Sequence, residues 1–256
     1  MTEIEGSRVV ILGGTAGTGL AMAQLFAANG ARLILMGRNP QKGADACDRV
    51  RDKTAGADIA FVKVDATDAD SALAAGKEAI GQLGGIDTLI CTTGPSQPPR
   101  LLNSIPIHDI QARIEEIILP PMHMIHAVLP AMRTQRRGAI INVASDAAKV
   151  ATPGETLVGA AMAAIVMFSK ALAIEEKRNL VRINMLTPSL IANTPGADLI
   201  FGEEFSTKLF EKAKKMAHLG VVEPEDLAAA ALFLASPAAR KMTGQAISIN
   251  GGISVG

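Results

Sequence analysis

The chain has 256 residues, within reach of one large α/β domain. Hydrophobic residues make up 48% and charged residues 20%, which excludes a disordered or solvating chain. Lysine plus arginine equals aspartate plus glutamate at 25 each, so no charge imbalance points to nucleic acid or an anionic membrane.

The acidic start, MTEIEGS, enters a strand pattern at once and does not read as a secretory or transit signal. The first strand, RVVIL (8–12), runs into GGTAGTG, and a helix follows that closes at Asn29-Gly30. Gly13, Gly17 and Gly19 carry the spacing G-x-x-x-G-x-G. Glycines here let the backbone approach a pyrophosphate at a helix N-terminus, where free N–H groups favour an anion. The strand–turn–helix context makes Gly13, Thr15, Gly17 and Gly19 a dinucleotide-binding turn rather than an isolated glycine run.

The second strand, ARLILMG (31–37), runs directly into Arg38. A carboxylate there would accept from a ribose 2′-hydroxyl; a guanidinium suits a 2′-phosphate, so NADP(H) is expected in preference to NAD(H). Further strands are read at IAFVKVD (59–65), IDTLICTTG (86–94), GAIINVAS (138–145), VRINML (181–186) and AISING (246–251). These are near-continuous apolar runs, as in a parallel sheet covered on both faces. The intervening segments are long enough for crossover helices. The expected fold is α/β, one Rossmann-like, doubly wound parallel sheet of about seven strands flanked by helices, with residues 1–256 as one domain.

Two stretches break the rhythm at the carboxyl ends of strands, where ligands bind in such sheets. One is the proline-rich GPSQPPRLLNS (94–104). The other, residues 187–219, is long enough to be a lid and carries Leu199, Ile200, Phe201, Phe205 and Phe210. Cys47 and Cys91 have unrelated contexts that indicate neither disulfide nor metal site, and Cys91 reads as a buried thiol. The longest apolar run, 157–168, is too short to span a bilayer, and the expected compartment is the cytoplasm.

With these motifs in order, the chain resembles the short-chain dehydrogenase/reductases over nearly its whole length. Residues 12–19 match that family's glycine motif. Val64-Asp65-Ala66-Thr67 resembles the segment whose aspartate meets the adenine amine, and Cys91-Thr92-Thr93-Gly94 stands where the family has Asn-Asn-Ala-Gly. Residues 182–189 resemble R-V-N-x-x-x-P-G with Ser189 for the glycine, and TGQAISINGG (243–252) resembles the closing strand with Asn250 for the usual aspartate. The resemblance adds Thr92, Thr93, Gly94, Asp65, Ala66, Pro188, Asn193 and Thr194 to the expected cofactor contacts. It also implies a homodimer or homotetramer through the two helices that bracket residues 117 and 158, with Pro120, Met122 and Met167 as core or contact residues.

Members of the family move a proton through a tyrosine, supported by a lysine four residues later, a serine thirteen residues earlier and an asparagine on the preceding helix. Ser145 matches the serine. Val158, Met162 and Ile117 fall at the tyrosine, lysine and asparagine positions, and the chain contains no tyrosine at all. Positioned general acid catalysis contributes roughly 10²–10⁴-fold. The expected function is therefore an atypical NADP(H)-binding oxidoreductase that does not use Tyr/Lys proton transfer, acting on an unidentified small molecule such as an iminium or activated alkene. A non-redox isomerase, lyase or cyclase on the same scaffold, with Asp146 or Lys149 as speculative catalysts, stands as one alternative. A non-catalytic subunit or nucleotide sensor, paired with an intact homologue, stands as the other. His123 and His126 lie about 9 and 13 Å along a helix from residue 117 and read as interface or surface residues. No metal site is expected.

Overall fold

The computed structural model describes residues 4–255; Glu3, part of the acidic start, lies outside them. In chain order the elements are β1 (Arg8–Leu12), α1 (Gly17–Ala28), β2 (Arg32–Gly37), α2 (Pro40–Lys53), β3 (Ile59–Lys63), α3 (Ala69–Leu83) and β4 (Thr88–Cys91). Then follow α4 (Ile110–Gln135), β5 (Gly138–Val143), α5 (Thr156–Glu176), β6 (Val181–Pro188), α6 (Pro195–Phe201), α7 (Glu204–Met216), α8 (Pro224–Ala235) and β7 (Ala246–Ile249). Every paired strand is parallel, in the order β3-β2-β1-β4-β5-β6-β7. The order reverses direction between β1 and β4, which opens a crevice at their carboxyl ends.

Alternation along each strand sends side chains to both faces. Val9, Ile11, Leu33 and Leu35 pack with Met22 and Phe26 of α1 and Leu227 and Leu234 of α8. Val10, Leu12, Ile34 and Met36 pack on the opposite face with Ala75 of α3, Met124 and Val128 of α4 and Leu172 of α5. Both faces are dry, which is why the strands read as unbroken apolar runs.

Strand ends differ from the sequence reading where local bonds intervene. The fourth strand stops at Cys91, after which the Thr92 hydroxyl donates to the Leu12 carbonyl (2.9 Å). The fifth stops at Val143, and Ser145 instead caps a short turn, its Oγ accepting from the Ala147 N–H (3.1 Å). The sixth extends to Pro188, so Thr187 and Pro188 are strand rather than lid. The rest of the expected lid holds α6 and α7, tied at its base by a parallel bridge between Ile191 and Val222.

Helix α5 corrects the estimate made from the run 157–168. It has 21 residues, and by length and composition alone it passes as a membrane-crossing helix, because Ser169 and Lys170 interrupt but do not end its apolar character. Its buried stripe, including Met162, Ile165, Val166 and Leu172, packs against α4 and β6. Asn142 of β5 donates to the buried Ser169 hydroxyl (2.8 Å), a polar pin that fixes the helix on the sheet.

Candidate functional site

A cavity of about 330 Å³ lies at the carboxyl ends of β1, β4, β5 and β6. Parallel register aligns Leu12 with Cys91 and Cys91 with Asn142, so the residues that follow each strand converge there. One wall is the glycine turn and the start of α1. Gly13 has φ +81°, and a Cβ on it would stand 2.6 Å from Thr92 Oγ1; a Cβ on Gly19 would stand 2.4 Å from the Gly13 carbonyl oxygen. Only a side-chain-free backbone fits this turn. Ala16 precedes α1 without any side-chain cap, leaving the first N–H groups of the helix open toward the cavity.

Gly17, Gly19, Thr92, Thr93, Gly94, Pro188 and Thr194 all line the cavity. The Thr93 hydroxyl is buried and has no hydrogen-bond partner among the described residues. Thr194 caps α6, its Oγ1 accepting from Ala197 N–H (3.2 Å) and donating to Ile191 (2.9 Å). Asn193 is not among the lining residues; it is exposed and adopts φ 57°, turning the chain into α6.

Thr15, Arg38, Asp65 and Ala66 do not line the cavity; they follow β1, β2 and β3 at the same carboxyl edge of the sheet. The Thr15 methyl lies 3.5 Å from where a Gly37 Cβ would stand, beside the exposed Arg38. Asp65 accepts from the Thr67 hydroxyl (2.6 Å) and backbone N–H (3.1 Å), which together lower its pKa, and the charge of Arg38 adds to the effect. The buried Ala66 carbonyl contacts His123 Nδ1 (3.0 Å). His123 is half-buried and ties α4 to the loop after β3, while His126 is exposed.

The opposite wall holds Ser145, Val158 and Met162. Met162 and Val158 pack with Ile117, Ala144, Ala161 and Met185 in one apolar cluster. Ile117 is buried to 1% exposure and faces a smaller pocket of about 20 Å³ behind Val158 rather than the main cavity. Pro120 and Pro121 lie within α4 and lack N–H groups, so the carbonyls of Glu116 and Ile117 have no helical donor four residues on.

Asp146 and Lys149 do not line the cavity. The Asp146 carboxylate accepts from the Ser254 hydroxyl (2.8 Å), and the Lys149 ammonium bonds Ser248 on β7. Both therefore hold the carboxyl-terminal segment in place. Cys91 is fully buried and its thiol is pushed up to about 12 by burial, so it is inert.

The residue missing from the sequence reading is Glu155. Among the described residues it is the one ionisable side chain lining the main cavity. It stands at the N-cap position of α5, immediately ahead of the charge-free stretch 156–169 and three residues before Val158. Burial, reinforced by the negative charge of Asp146 and opposed by the Thr152 hydroxyl, raises its carboxyl to about 7. Its acidic character in an otherwise apolar approach to residue 158 was the available signal.

Comparison with known proteins agrees with this geometry. A family model described as enoyl-(acyl carrier protein) reductase matches residues 13–254. The chain is 32% identical over 246 residues to 3-oxoacyl-(acyl-carrier-protein) reductase of Chlamydia muridarum, covering 96% of each chain. It is 30% identical over 258 residues to 7alpha-hydroxysteroid dehydrogenase of Bacteroides fragilis, covering 100% of this chain and 97% of that one. A short-chain type dehydrogenase/reductase from Mycobacterium ulcerans superposes with a TM-score of 0.90 at 24% identity, over 98% of this chain and 90% of the other.

Proposed function

The chain belongs to the short-chain dehydrogenase/reductase family of oxidoreductases, and from that premise we propose that it is an NADP(H)-dependent member whose proton transfer does not run through tyrosine and lysine. The observation that carries the proposal is the union of two walls in one cavity: a glycine turn that only bare backbone can form, and an apolar Val158–Met162 face beside Ser145. The first wall fits a dinucleotide. Its pyrophosphate would meet the open N–H groups of α1, its ribose 2′-phosphate would meet Arg38 and Thr15, and its nicotinamide end would lie toward Thr93 and Thr194. When bound, the reduced nicotinamide supplies a hydride.

The second wall sets what the protein does with the other reactant. Ser145 Oγ already accepts from Ala147 N–H, so its own proton is free to donate into the cavity. Val158 and Met162 exclude water and carry no proton. This arrangement suits a substrate already polarised toward hydride, an iminium or an activated alkene, better than an unactivated ketone. Exposed Met167 and Ile174 on α5 (66% and 65%) support self-association through α4 and α5.

The test is a titration of the purified protein with NADPH and NADH, followed by nucleotide fluorescence, and then NADPH oxidation with a panel of ketones, cyclic iminium salts and enones. Tighter NADPH than NADH binding, with turnover of iminium or enone and not ketone, is the expected result. A folded protein that binds neither nucleotide removes the redox reading.

A further inference from the structure

Glu155 has the Thr152 hydroxyl as a polar partner and no ionic partner among the described residues. Its side chain makes no capping bond to α5, although it stands at the cap, and it lines the cavity with Ser145, Val158 and Met162. The Gly154 backbone sits so tightly under Phe205 of α7 that a Cβ there would lie 2.5 Å from the ring. The Gly154 carbonyl accepts from the Arg100 backbone N–H (2.9 Å), and the Arg100 guanidinium is bound by Glu203 at the start of α7. The proline-rich loop and the lid thus meet at Gly154, the residue before Glu155.

Among the described residues, no cation pairs with it. On the turn after β5, Asp146 presents a like charge and Lys149 is bonded to Ser248. From the proline-rich loop, Arg100 is held by Glu203. On α4, Glu116 accepts from the Ser96 backbone and hydroxyl, and Arg113 lines the smaller pocket with its charge felt at Glu203. Thr152 offers only a hydroxyl, and Met162 replaces the lysine that family members carry. A half-buried carboxylate is costly without a counter-charge, and the described residues offer it only the Thr152 hydroxyl, which leaves room for a cationic partner in the cavity.

We propose that Glu155 exchanges its proton with a basic nitrogen of the cavity's ligand, an imine or amine, and then remains as the counter-ion of the cation it has made. The inference rests on reading this cavity as the substrate site. In the step, the carboxyl O–H bond breaks and its electron pair stays on the carboxylate oxygen. The nitrogen lone pair takes the proton and forms N–H, so a neutral acid and a neutral base become an ion pair. A neutral carbonyl oxygen is far too weak a base to accept that proton in the ground state. Nitrogen is therefore distinguished from oxygen already at binding. A cyclic imine protonated in this way is the iminium that the hydride reading calls for.

The test uses 2-phenyl-1-pyrroline and its carbocyclic isostere 1-phenylcyclopentene, bound without nucleotide to the wild type, Glu155→Gln and Glu155→Asp, and followed by calorimetry. The wild type is expected to prefer the imine by roughly ten-fold or more, Glu155→Gln to lose the preference, and Glu155→Asp to keep most of it. Carbon NMR of protein labelled at the glutamate carboxyl should show one group titrating near neutral pH and missing from Glu155→Gln. An imine preference that survives in Glu155→Gln, or no preference in the wild type, overturns the proposal, as does a wild-type spectrum in which every glutamate titrates in the ordinary range. NADPH titration separates the two readings. Absent nucleotide binding with an intact imine preference sinks only the redox reading; nucleotide binding with no Glu155-dependent preference sinks only this one.

Discussion

The two ends of the sheet treat a carboxylate in opposite ways. At the amino ends of the strands, Asp87 precedes β4 and accepts from the backbone and guanidinium of Arg8 (2.7–3.0 Å) and from Arg137 Nε (2.9 Å). Burial alone would raise this carboxyl, yet the two arginines outweigh it and hold it at about 2. At the carboxyl ends, Glu155 experiences burial and a like charge with no arginine to answer them, and is raised to about 7. One end is a closed electrostatic clamp that ties β1, β4 and β5 together. The other gives Glu155 no cationic partner, and the Thr93 hydroxyl no hydrogen-bond partner, among the described residues. Identical chemistry becomes structural or reactive according to whether the fold supplies its counter-charge.

Breaking the clamp should give the largest effect. Asp87→Asn leaves Arg8, whose side chain is 19% exposed, without its partner, and should lower unfolding free energy by about 3 kcal/mol in denaturant titration. Because the folded carboxyl is depressed, its contribution is complete above about pH 4 and is lost as pH falls toward 2. The wild type should shed about 2 kcal/mol across that window and Asp87→Asn should not. An equal acid sensitivity of the two proteins would mean the clamp is not electrostatic.

On the opposite end, the nucleotide wall is sharpened by two substitutions. Gly19→Ala drives a Cβ into the Gly13 carbonyl and should cost about a hundred-fold in NADPH affinity while the far-ultraviolet spectrum is kept. Arg38→Ala should cost roughly ten-fold for NADPH and leave NADH unchanged, since only the 2′-phosphate is addressed. Equal losses for both nucleotides would assign Arg38 to the adenine rather than the phosphate.

How much of this was legible in the sequence follows from what each feature depends on. Parallel strands buried on both faces announce themselves as apolar runs, so the sheet and its seven strands were readable from β1 to β7. The glycine turn was readable because spacing and context both constrain it. Val158, Met162 and Ser145 were readable by counting from motifs, and they do share a cluster or cavity wall. Asp146 and Lys149 were not: adjacency to Ser145 says nothing about direction, and only the fold shows them turned toward Ser254 and Ser248. Glu155 was missed for the converse reason. Its significance comes from Phe205, Arg100 and Asp146, which are distant in sequence or carry no pattern that marks an enclosure.

The smallest effect expected is also the one that tests the contrast most directly. A carboxyl raised in the folded state keeps its proton to higher pH than in the unfolded chain. Between about 4.5 and 7 the native state therefore binds more protons, and stability falls as pH rises through that interval. Glu155→Gln cannot lose a proton and should escape this fall. The full shift, discounted because the side chain is only half-buried, leaves about 1 kcal/mol. Denaturant titrations near pH 5 and pH 8 should show the variant gaining on the wild type by about that amount at the higher pH, the reverse of what Asp87→Asn does at its end of the sheet. A wild-type-to-variant difference independent of pH would mean that Glu155 already has a counter-charge, and the two ends of the sheet would then be alike.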